Sequence, residues 1–197
     1  MTDKAAGEYR IDFIDPLFAV AVHVGLTHGV LAESWFIQWR WPVGSEWLHL
    51  FSWLLGFLTL LLSWVGYHES IKLKPIKGLW RFILDVLLVT GYAFLLIKFR
   101  NLDAVLEILI GVFILFVLWD RCKVLEYKVP YSRREWVTVG WTIAFAGLFL
   151  GRLTLGLDSI ITLAVMYVFT ILYRVNKEVA MWGWIRGGLA RVGFGGS

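Results

Sequence analysis

Six stretches of the chain are long and apolar enough to cross a lipid bilayer. A spanning helix needs roughly 17 to 25 mostly apolar residues. Such stretches lie near 12–32, 47–67, 80–98, 102–119, 136–152 and 156–173. Hydrocarbon leaves backbone polar groups no water to bond, so only helices and closed barrels span it. The expected fold is all-α, a polytopic integral membrane protein with six transmembrane helices over 1–174. A juxtamembrane amphipathic or disordered tail follows over 175–197. The fifth span is the shortest, and a single re-entrant pair is an alternative for the last two. Composition agrees: 59% of residues are hydrophobic and 17% charged, where soluble domains carry about one quarter charged. Many of the 12 tryptophans fall near span ends, where an amphipathic ring suits the headgroup layer.

Loop charge orients the spans. Lys72, Lys74 and Lys77 lie in one connection, and Arg121, Lys123, Lys128, Arg133 and Arg134 in a second. Arg174, Lys177, Arg186 and Arg191 follow the last span. The other three connections are poor in basic residues, with Arg40 in the first, Lys98 and Arg100 in the second and Arg152 in the third. By the positive-inside rule both termini are cytoplasmic. The formal charge of +4 thus follows from topology, and nucleic acid is not an expected partner. Anionic lipid is, through Arg186 and Arg191 beside Met181, Trp182, Trp184 and Ile185 of the tail. The single Cys122 rules out an intrachain disulfide and receives no role.

Ionisable groups within hydrocarbon are costly and mark structural ties or functional sites. Asp15 and Pro16 open the first span, and Asp15 reads as a helix-start cap, an inner-mouth carboxylate, or both. His68 ends the second span at the same depth, with Trp64 one turn before it. Asp85 lies just inside the third. Asp15, Trp64, His68 and Asp85 therefore form an expected helix-tying or gating network in one cytoplasmic layer. His23 falls near mid-membrane. His49 is expected near His28 or Glu33, and Glu107 is a candidate partner for Lys98, Arg100 or Arg152. The four histidines have no metal-ligand spacing, and neither a metal nor a cofactor is expected. Gly25 and Gly29, and Gly147 and Gly151, are small-xxx-small pairs suited to close helix packing, within a subunit or between subunits. No HExxH, phosphate-binding glycine loop, G-x-S-x-G or CxxC pair is present, and the expectation is no enzyme.

The stretch Phe13-Ile14-Asp15-Pro16-Leu17-Phe18-Ala19-Val20-Ala21-Val22 resembles the opening of the TMEM175 family of potassium-permeable cation channels. Those proteins begin their first helix with Phe-Ser-Asp; here Phe13 and Asp15 match and Ile14 replaces the serine. The second span, with Trp64 and His68, also resembles the family's second helix, so the likeness covers roughly residues 9–97. It implies a homotetramer conducting monovalent cations, with first helices lining the pore of a prokaryotic cytoplasmic membrane. Val20, Val24 and Thr27 would take its constriction positions, with His23 beside them. Asp15, His68 and Trp64 would hold the helix.

Three classes of function follow. The first is a homo-oligomeric cation channel. The second is a non-conducting subunit or scaffold contacting other membrane subunits. The third, a proton-coupled transporter or membrane enzyme, predicts a cavity inside one subunit, lined by Asp85, His23 and Glu107.

Overall fold

A computed structural model describes residues 3–73, 76 and 78–191, with side chains placed for most of those between Ile14 and Glu178. The elements are helices α1 (Asp3–Thr27), α2 (Ser34–Ile37), α3 (Glu46–Leu73), α4 (Leu79–Ile97), α5 (Leu102–Tyr127), α6 (Arg133–Leu155) and α7 (Ser159–Arg191). A short 3-10 turn, Val30–Ala32, sits between α1 and α2, and the described residues include no strand. Six helices are long and apolar enough to cross a membrane, so the chain is a multi-pass integral membrane protein. The last two spans are separate helices of 23 and 33 residues, not a re-entrant pair. The turn between them runs through Gly156, whose φ of 63° lies in the left-handed region that glycine adopts without a Cβ clash. Asp158 then accepts from the N–H of Ile160 at 2.7 Å and so caps α7.

Several helices outrun their apolar stretches. α5 continues eight residues past the expected end at 119, through Asp120 to Tyr127, because its charges find partners on neighbouring helices. α6 starts three residues before 136 at Arg133, set by a capping box in which Ser132 and Glu135 satisfy each other's backbone donors. α7 runs without a break from the sixth span into the expected tail, as far as Arg191. The tail side chains expected to meet lipid, Met181, Trp182, Trp184, Ile185, Arg186 and Arg191, lie outside the described ones.

Consecutive packing of α4 on α5, α5 on α6 and α6 on α7 is closed by α3, which touches both α4 and α7. These five helices form a closed circuit. α1 stands outside it, docked against α4. Gly25 makes that docking possible: it is buried, and a methyl group there would overlap the Leu96 side chain. A Cβ at Gly29 would come within 2.8 Å of the Leu96 carbonyl. The first small-xxx-small pair therefore packs inside the subunit, whereas Gly147 of the second faces open space. α1 ends at Thr27, and the indole of Trp53 on α3 donates to the Gly25 carbonyl at 3.0 Å. That bond satisfies a carbonyl near a helix end that hydrocarbon would leave costly. The core is aromatic and aliphatic, with Tyr92, Phe99, Phe113 and Phe145 almost fully buried.

Candidate functional site

The cytoplasmic layer expected from sequence divides into two parts, both at the end of the bundle that holds the start of α1 and the end of α3. The outer part ties α1 to α3. Trp64 donates its indole N–H to Asp15 Oδ1 at 3.2 Å, and His68 Nε2 lies 3.1 Å from the same oxygen. The other ring nitrogen, Nδ1, faces the Trp64 carbonyl at 3.0 Å. Both partners are acceptor oxygens, and each ring nitrogen faces one of them. Asp15 does not cap a helix start. α1 begins at Asp3, which places Asp15 and Pro16 in its interior. There Pro16 removes one backbone hydrogen bond.

The inner part is built around Asp85, whose hydrogen-bond partners among the described residues are Trp119 and Tyr67, not Asp15 or His68. Trp119 donates to its Oδ1 at 2.7 Å and the Tyr67 hydroxyl to its Oδ2 at 3.3 Å. Asp85 is thus held by two neutral donors from two other helices. Arg81 lies over the Trp119 ring at 4.5 Å and pairs with Glu126 at 2.9 Å. Glu126 also accepts from the Gly78 N–H at 2.8 Å, which anchors the start of α4 on α5.

A third group was missed from sequence. Asp120, Lys123 and Glu135 are buried, although the residue pattern places them in a solvated connection. Asp120 accepts from Thr138 at 2.8 Å, from Lys123 at 3.0 Å and from Lys177 at 3.3 Å. Lys123 also pairs with Glu135 at 2.9 Å. Lys177 completes its three donations at Thr138 (3.2 Å) and Tyr173 (2.8 Å). α5, α6 and α7 are thereby joined by a satisfied ionic network. The capping signal Ser132-x-x-Glu135 was the available clue, since it starts α6 early enough to bring Glu135 and Thr138 onto the helix. Just before that cap, burial near Asp120 and Glu135 pushes the Tyr131 phenol above its ordinary value.

The remaining candidates are on the outside. Val20 is 56% exposed, and His23 and Thr27 are exposed on the same side of α1, with Val24 half-buried beside them. Glu107 is exposed and takes none of the expected partners. Arg100 pairs with Glu33 at 2.6 Å and Arg152 with Asp103. His49 packs edge-on against Phe99, not against His28 or Glu33. Cys122 is a free, half-buried thiol. No group of His, Cys, Asp and Glu suited to a metal occurs among the described residues.

A cavity lies between α3, α4, α5 and α7, with Phe18 of α1 and Arg134 of α6 also on its wall, and has about 70 Å³ of space open to the centre of a water molecule. Asp85 lines it; His23 and Glu107 do not. The cavity expected of a transporter therefore exists without two of its three expected residues, because both point away from the circuit. No family model matches the sequence, and neither a curated protein nor a solved structure matches the chain.

Proposed function

We propose that the chain is the subunit of a homo-oligomeric cation channel, without enzymatic activity, whose first helices surround the conduction path. The observation that carries this reading is the chemistry of the outer face of α1. Pro16, Ala19, Val20, His23 and Thr27 are all exposed there, at the spacing of one helical stripe. Small side chains favour close helix association in lipid, and an imidazole facing acyl chains at mid-span is costly. The lipid-facing sides of α6 and α7 differ: their exposed large residues include Ile143, Leu150, Ile160, Ile161 and Val168. A second copy, or water in a pore between copies, relieves the cost at His23. The tie of Asp15 to Trp64 and His68 then sets the angle of the pore helix, and Val20 and Val24 supply an apolar constriction. The likeness to potassium-permeable channels supports a monovalent cation as the permeant ion, in a cytoplasmic membrane with both termini inside.

The test is reconstitution into liposomes with potassium and proton flux followed at several pH values, together with the oligomeric state in mild detergent. A discrete oligomer with cation flux that falls in Val20→Trp is expected. A strict monomer, or an absence of flux at every pH, refutes the proposal.

A further inference from the structure

The cavity inside the helical circuit has the donor chemistry of a binding site, independent of any path between subunits. Its basic and acidic lining consists of Arg134, Arg174 and Lys177 against a single carboxylate, Asp85. The charges are not equally engaged. Lys177 spends its donors on Asp120, Thr138 and Tyr173, and Arg174 pairs with Glu178. Asp85 already receives Trp119 and Tyr67. Arg134 has no carboxylate within ion-pairing distance among the described residues, and its buried Nε has no hydrogen-bond partner. Thr170 is 3% exposed and its hydroxyl is also unpartnered. Tyr173 accepts from Lys177 and keeps its own O–H proton to donate.

Three donor groups on α6 and α7 thus share one cavity without a protein acceptor. Leaving buried donors unpaired costs about 1–3 kcal/mol each, so an acceptor from outside the chain is favoured. Apart from the hydroxyls of Thr59, Ser63 and Ser70, the rest of the lining is mostly apolar and aromatic, including Phe18, Leu88, Phe113 and Phe116. We propose that this cavity binds a small amphipathic carboxylate, its oxygens on Arg134, Thr170 and Tyr173 and its apolar body among these rings. Arg134 stands in the first turn of α6, at the end of the span, while Leu88 lies well inside α4. A carboxylate bound this way has the orientation of an amphiphile in the adjoining leaflet. The polar end is recognised identically in a free aromatic acid and in a fatty acid from the bilayer.

The test uses the full chain in nanodiscs, with 4-fluorobenzoate followed by fluorine NMR and oleate added as competitor. Saturable 4-fluorobenzoate binding is expected, weakened about tenfold or more in Arg134→Gln, as loss of a charge-assisted hydrogen bond requires. Thr170→Val, close to isosteric, weakens it several-fold and keeps the test open should Arg134→Gln fail to fold. Displacement by oleate assigns the site to a lipid-derived acid, and its failure to displace assigns it to a soluble one. Absence of saturable binding, equal affinity in the wild type and the folded variants, or equal binding of neutral fluorobenzene overturns the proposal.

Discussion

Lys177 Nζ lies 3.3 Å from Asp120 Oδ2, across 57 residues of sequence, and both side chains are buried or nearly so. Asp120 is the shared acceptor of two ammonium groups, so its loss strands more than one charge. Asp120→Ala is expected to destabilise the protein by about 3–5 kcal/mol, the cost of breaking a buried ionic network at one member. The double variant with Lys177→Met should recover part of that loss. Unfolding in detergent with circular dichroism measures both, and additive single effects would show that the two residues are not coupled.

The docking of α1 depends on a missing side chain. Gly25→Val places methyl groups against Leu96, and overpacking of this kind costs about 1–3 kcal/mol. Adding Leu96→Ala should restore part of the stability by making room. If Gly25→Val unfolds at the wild-type temperature, the close approach of α1 and α4 is wrong.

Asp85 is held by neutral donors, which makes Trp119 a specific target. Trp119→Phe keeps an aromatic ring beneath Arg81 and removes the N–H. The expected loss is about 0.5–1.5 kcal/mol, the typical net contribution of an intramolecular hydrogen bond. Asp85→Asn should cost less, because its amide oxygen still accepts from Trp119. The reverse order in thermal unfolding would contradict the hydrogen-bonded geometry.

The tie at Asp15 has a different character, because its side chain is 43% exposed and that of His68 26%. Exposed ion pairs contribute about 0–1 kcal/mol. Asp15→Ala should therefore change global unfolding little. It should raise hydrogen exchange in the turns of α1 around Asp15 and lower assembly more than it alters ion preference. Unchanged exchange there, with normal assembly, refutes the tie.

The spans were legible because a run of twenty apolar residues has one physical outcome in lipid. So was the meeting of Asp15, Trp64 and His68, since depth alone brings the two helix ends together. Depth says nothing of rotation, however. Asp85 shares the layer but faces the inside of the circuit, where Tyr67 and Trp119 meet it. The burial of Asp120, Lys123 and Glu135, with Lys177 drawn in beside them, was not legible, because charged residues after an apolar run read as solvated loop. Their pairing is across three helices, and no periodicity within one helix records it. Gly25 and Gly29 showed where a close contact would form, and only the position of Leu96 assigned that contact to the subunit's own α4.

The closed circuit of five helices also orders the chain's biogenesis. Spans emerge one at a time, yet the circuit closes only when α7, the last of them, arrives and packs against α3. Until then Asp120 lacks Lys177, and Gly66 lacks the Arg174 guanidinium that fills the space a Cβ would occupy. The last helix is therefore a latch: it closes the bundle and brings Asp120 its second counter-charge in one step.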